Sequence, residues 1–147
     1  ESLFDVTFGP GHFAKTAERL REFSHSLPEI SRVAVLDGEI VAVCRVWPLV
    51  VGQARMRALF YGPVAVTPEQ RGSRLGQAVT VAALEAGEAA GWPAAVLIGA
   101  PAYFCEIGFE VTPRGQLVFP GPQDQGRVMV KSLAGDASQL SGLVTAL

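Results

Sequence analysis

"GPVAVTPEQRGSRLGQAV", Gly62 to Val79, decides how this chain is read. It starts as an apolar strand and ends as the first turns of an Ala-rich helix. Arg71, Gly72, Ser73, Arg74 and Gly76 stand at the junction. A helix N-terminus carries unpaired N–H groups and about half a positive charge. Glycines beside it let a ligand approach the backbone, and arginines add forked donors suited to phosphate. Strand, basic glycine loop and helix together make a pyrophosphate-binding arrangement. The same residues also suit a plain turn with solvated arginines. The common nucleotide motifs do not fit. The chain has no Gly-Lys pair for a P-loop, and Gly72 and Gly76 stand too far apart for GxGxxG.

Gly62-Pro63 adds a second signal. Pro63 has no N–H for a neighbouring strand, so regular pairing is expected to stop there in a bulge. A strand forced from its neighbour exposes backbone amides and carbonyls, with which an extended amide-containing ligand can pair. Pantetheine is such a ligand, and coenzyme A joins pantetheine to a pyrophosphate.

Outward from this stretch the pattern is mixed α/β. "LFDVTF" (3–8) alternates as a strand, and "GPGHFAKTAERLREFS" follows with Phe13, Ala17, Leu20 and Phe23 at helical spacing. "RVAVLDGEIVAVCRVWPLVV" reads as two strands about an Asp37-Gly38 hairpin turn. "ARMRALFYGPVAV" is a further strand, interrupted at Gly62-Pro63. The helix after the basic loop is predicted to bury Leu75, Val79, Ala82, Ala86 and Ala89 or Ala90 and to end at Gly91. "PAAVLIGA" is wholly apolar, as in a strand covered on both faces. "PAYFCEI" reads as a short helix, "GFEVTP" as a strand end, "GRVMVKSL" as a late strand and 136–147 as a short terminal helix. Antiparallel hairpins precede one βαβ crossover.

Composition narrows the class. The 147 residues suit a single domain, 1–147, with an ordinary core; 49% are hydrophobic and 18% charged. The formal net charge of -2 argues against a nucleic-acid partner. Cys44 and Cys105 form no CxxC pair, so neither a disulfide framework nor a metal site is expected. Neither a spanning apolar run nor a signal-peptide pattern is visible, so a cytoplasmic protein without a membrane partner is the expectation.

At motif level the quoted stretch resembles motif A of the GNAT superfamily of acyl-CoA N-acyltransferases, approximately [RQ]-x-x-[GA]-x-[GA] after a bulged strand. "AAVLIGAPAYFCEIGFEV" is similar to the next family segment: a strand, a short helix with a tyrosine, and Gly-Phe. "FGPGHFAKTAERLREFSHSLPEIS" and "VMVKSLAGDASQLSGLV" resemble the same subgroup, marked by "PAYxxxxGFE". The resemblance covers nearly the whole chain. It implies a mixed, largely antiparallel sheet flanked by helices, with a bulged central strand. It also implies acetyl-CoA as cosubstrate and transfer of its acetyl group to a primary amine, on a small molecule or a protein.

Residue by residue, the resemblance puts the pyrophosphate on the amides of Arg71, Gly72, Ser73, Arg74, Leu75 and Gly76. Val64 and Val66 would pair with pantetheine, one of their amides facing the thioester carbonyl. Arg74 stands where the pattern has Gly or Ala; its side chain either points outward to a phosphate or points inward and opposes cofactor binding. The family's acid, a tyrosine near the coenzyme sulfur, falls on Phe104; Tyr103, one residue earlier, is either the acid here or a half-buried tyrosine that only packs. His25 and Glu29 lie in the segment that forms the acceptor side and are the candidate bases. Each also suits a solvated loop. His12 reads as a helix-start residue, Cys105 as a small apolar thiol, and Trp47 and Trp92 as core or rim. Arg55 and Arg57 fit a surface strand before an anion site. A monomer or homodimer fits equally. The alternative to an enzyme is a non-catalytic acyl-CoA-binding or sensing module on the same scaffold, which Arg74 and Phe104 keep open.

Overall fold

The computed structural model describes the backbone of Phe4–Thr7 and residues 26–70, 72–121 and 125–147. Its elements in chain order are β1 (Phe4–Thr7), β2 (Arg32–Leu36), β3 (Glu39–Val51), β4 (Met56–Val66), α1 (Leu75–Ala89), β5 (Ala94–Ile98), α2 (Pro101–Phe104), β6 (Glu110–Val111), β7 (Leu117–Val118), β8 (Val128–Ser132) and β9 (Gly142–Ala146). The helix expected over "GPGHFAKTAERLREFS" lies outside the described residues.

Strand order is β1-β2-β3-β4-β5-β8-β6, antiparallel except for the β4–β5 pair that α1 connects. β9 pairs with the end of β3 beyond β2 and brings β7 with it. The β2–β3 turn is made by Asp37 and Gly38 at φ 52 and 81, the positive values a tight hairpin turn requires. The sheet is buried on both faces. Ala42, Cys44, Val46, Leu59, Tyr61, Ala95 and Leu97 pack with α1, while Trp47, Leu49, Ala58, Phe60, Ala94 and Val96 fill a second cluster. This double burial explains the unbroken apolar run of β5.

Two expectations need correction. The buried face of α1 is Leu75, Gly76, Gln77, Val79, Thr80, Ala83, Leu84 and Gly87; Ala82 and Ala86 are only half-buried, and Ala89 and Ala90 are exposed. Small and hydrogen-bonded residues share this face with the apolar ones. A Cβ at Gly87 would stand 2.5 Å from the Tyr61 hydroxyl and 2.8 Å from Leu59. That hydroxyl donates to the Ala83 carbonyl at 3.0 Å. The C-terminal stretch is a 3-10 turn, Ala137–Gln139, followed by β9, not a helix. Gly142 at φ 117 leads into β9, which packs backbone to backbone on Gly52.

Candidate functional site

Pairing is irregular where β4 passes Gly62-Pro63. Cys44 faces Val64 and Val46 faces Tyr61, so three steps on β4 match two on β3. The extra residue is a bulge, and it changes which parity of side chain faces α1. Before it Leu59 and Tyr61 pack on the α1 side; after it Val64 and Val66 do. β4 continues through the bulge instead of breaking. The buried Trp47 steadies it, its indole Nε1 donating to the Gly62 carbonyl at 2.7 Å.

On its other side β4 meets β5 only at Leu59 and Phe60. Beyond that pair the two parallel strands separate. The Thr67 amide donates to the Val41 carbonyl on β3 at 2.9 Å. Strand alternation then turns the amides of Val64 and Val66 to the opposite, open edge. A cleft of about 1110 Å³ occupies the gap. It is lined by Val64, Ala65 and Val66, by Gly72, Arg74, Leu75, Gly76 and Gln77, and by Gly99, Tyr103, Phe104, Glu106 and Arg127.

One end of the cleft is the start of α1. Gly72 and Arg74 have φ of 85 and 66, and no side chain caps the helix. Ser73 instead turns its hydroxyl back to the Gln70 carbonyl. The first-turn amides of α1 therefore face the cleft end without a side-chain acceptor, which suits an anion.

The opposite wall is α2. Pro101 suits the first helical position, where no intrahelical N–H bond is lost. Phe104 is buried against Phe109 and against Gly99, where a Cβ would come within 2.6 Å of its ring. Tyr103 is half-buried, edge-on to Phe104 at 4.8 Å. Its hydroxyl reaches α1: a Cβ at Gly76 would stand 2.5 Å from it.

The Arg74 guanidinium is directed to Glu106, at 2.9 Å, and to Gln77 Oε1, at 2.8 Å. Neither orientation expected of Arg74 anticipated this carboxylate. Gln77 Nε2 donates to the Tyr103 carbonyl at 2.9 Å and to Glu106 Oε1 at 2.8 Å. Hydrogen bonds from Gln77 and Arg74, and the Arg74 charge, hold the Glu106 carboxyl below the usual range. Gln77 and Glu106 carried no signal in the sequence. Each looks like an ordinary surface polar residue until the fold brings positions 74, 77 and 106 together.

The remaining candidates fall elsewhere. Glu29 is exposed on a turn and outside the cleft lining. His25 and Arg71 lie outside the described residues. Cys44 is fully buried, and desolvation pushes its thiol up to about 12 despite a hydrogen bond with Thr80. Cys105 is exposed, with its Sγ 3.6 Å from the Ala102 carbonyl. Trp47 is core, whereas Trp92 is a rim residue with Arg57 stacked on it at 4.3 Å. No helix among the described residues is long and apolar enough to cross a membrane.

No family model and no curated protein matches the sequence. Solved structures do. The chain is 27% identical to the GNAT family N-acetyltransferase YhbS from Escherichia coli, crystallised with CoA, with a TM-score of 0.71 over 80% of this chain. The chain has the GNAT fold. It spans 66% of the length of YhbS. A GNAT family acetyltransferase from Brucella melitensis, in complex with acetyl-CoA, shares the fold at 23% identity and a TM-score of 0.57, over 85% of this chain and 94% of that one. The ribosomal-protein-S18-alanine N-acetyltransferase from Escherichia coli does so at 15% and 0.59, over 93% and 98%.

The GNAT frame gives the two departures from the motif a physical form. Arg74 takes the glycine slot of motif A and has a glycine-like backbone, with φ 66 in the left-handed region. Phe104, where the expected pattern has a tyrosine, is a packing residue. Tyr103, beside it, is the one that reaches across the cleft.

Proposed function

We propose that this GNAT domain is an N-acetyltransferase that moves the acetyl group of acetyl-CoA directly to a primary amine. One observation carries the reading: the open edge of β4 and the uncapped start of α1 border the same cleft. An extended amide chain fits the first and a pyrophosphate the second. The amides from Gly72 to Gly76, with that of Arg71, hold the phosphates. The guanidinium donors of Arg74 that Glu106 and Gln77 leave unused add to them. Val64 and Val66 pair with the pantetheine amides, and one of their N–H groups stabilises the oxyanion, an effect worth a few kcal/mol. Phe104 and the neighbouring cleft wall cover the acyl end.

In the reaction the amine nitrogen forms a bond to the thioester carbonyl carbon and the C–S bond breaks. Tyr103 gives its phenol proton to the departing sulfur. The ammonium proton leaves through water, with Glu29 and His25 as the bases to test. No acyl-enzyme is needed. Cys44 is buried and held protonated, and the Cys105 Sγ lies 3.6 Å from the Ala102 carbonyl.

The test is thiol release from acetyl-CoA against a broad panel of amines. Release that needs both an amine and Tyr103, with the acetylated amine seen by mass spectrometry, is the expected result. Tight coenzyme binding with no amine-dependent release would favour the sensing module that Phe104 and Arg74 suggest.

A further inference from the structure

We infer that Gln77 is a positioning residue for Tyr103, with Glu106 and Arg74 fixing Gln77 in turn. This rests on the reading of Tyr103 as the acid. The argument begins with a weakness of α2. Four residues cannot hold a helix by their own hydrogen bonds, and no side chain caps this one. Phe104 anchors one side of α2 in the core. On the other side Tyr103 keeps its hydroxyl over Gly76, and its own segment holds it only by the edge-on contact with Phe104 and the bond from its amide to the Ala100 carbonyl at 3.1 Å.

Gln77 adds a tie from α1. Its side chain is 6% exposed, on the face of α1 turned to α2. A buried primary amide is costly unless its donors are used. Both Nε2 donors are used, at 2.9 Å to the Tyr103 carbonyl and 2.8 Å to Glu106 Oε1. Oε1 accepts from Arg74 at 2.8 Å. The amide can face only one way, its oxygen to a cation and its NH2 to a carboxylate. One side chain thus ties the start of α1, where the phosphates would sit, to the backbone of the residue that would protonate the sulfur. Arg74 keeps a backbone that suits glycine, and its side chain completes this tie.

Fluorine NMR of protein labelled with 3-fluorotyrosine reads the tie without substrate. The chain has two tyrosines, Tyr61 and Tyr103. Tyr61 is buried and hydrogen-bonded to α1, so its resonance reports that the fold is intact. Gln77→Leu, close in volume but without donors, is expected to shift or broaden the Tyr103 resonance and leave that of Tyr61 in place. Glu106→Ala, at an exposed site, is expected to do the same more weakly. Glu106→Gln, which keeps an acceptor for Gln77, is expected to restore the wild-type position. Coenzyme A affinity by calorimetry should stay within about twofold. With acetyl-CoA and the amine that gives turnover in the thiol assay, Gln77→Leu should lower kcat about tenfold. In a Tyr103→Phe background it should cost nothing further.

An unmoved Tyr103 resonance in Gln77→Leu, with Tyr61 also unmoved, overturns the inference. So does an equal loss of kcat with and without the Tyr103 phenol. If Tyr103→Phe keeps wild-type kcat while the Tyr103 resonance of the otherwise unchanged protein shifts in Gln77→Leu, the acid reading fails and the positioning stands.

Discussion

Gly76 has no room for a side chain, and the reason lies on both sides of the cleft. A Cβ there would stand 2.5 Å from the Tyr103 hydroxyl and 3.2 Å from Val66. The sequence marked Gly76 for close approach of a ligand; the fold adds the phenol as a second neighbour. Gly76→Val is therefore expected to weaken coenzyme A binding at least about tenfold by calorimetry and to displace Tyr103 as well. Tyr103→Phe separates these effects. It should lower kcat about 10²-fold, the low end of general acid catalysis, and leave affinity unchanged. Unchanged kcat, measured where chemistry limits the rate, would leave protonation to water. Arg74→Gly sets two small terms against each other. A left-handed backbone costs a non-glycine residue about 1 kcal/mol, and an exposed, solvent-screened ion pair returns little. Thermal unfolding of this variant should lie within a few degrees of wild type, while Tyr103 loses part of its support.

At the scale of elements, the Arg74–Glu106 pair joins the loop before α1 to the turn after α2. Its pH dependence has a definite sign. The Glu106 carboxyl is held below its ordinary 4.5 in the folded state, so the folded protein binds fewer protons there. The contribution is present above that value and is lost as pH falls through the lowered pKa. The stability gap between wild type and Glu106→Gln, from urea titrations at several pH values, should be open at neutral pH and close on acidification. β3 and β9 make a second junction. Gly142 lies at φ 117, and a Cβ there would stand 2.8 Å from the Gly52 Cα. Gly142→Ala is expected to cost about 2 kcal/mol or more, seen as a lower Tm. The hairpin, the crossover and α2 were legible because turn chemistry and apolar runs are local. The last strand was not. "GLVTA" is short, and pairing with β3, distant in sequence, decides its conformation. The buried face of α1 was misread for a related reason. Gly76, Gln77, Thr80 and Gly87 turn inward because they are small or hydrogen-bonded, and a count of apolar residues passes over them.

Across the whole molecule, a bulge, an open strand edge and a bare helix start combine into one cleft. The bulge was legible in Gly62-Pro63 and the helix start in "RGSRLG". The far wall was legible only in part, since Tyr103 reaches the cleft through an arrangement of Gln77 and Glu106 that no linear spacing reveals. The central claim is that coenzyme A lies along β4 with its phosphates at the start of α1. The direct measurement is a titration of 15N-labelled protein with coenzyme A, followed by amide chemical shifts. Saturable shifts centred on Val64, Val66, Gly72 to Gln77 and Tyr103, with Arg55, Arg57 and Trp92 unmoved, are the predicted result. Saturable shifts centred on other residues, or no saturable shift at all, would contradict it.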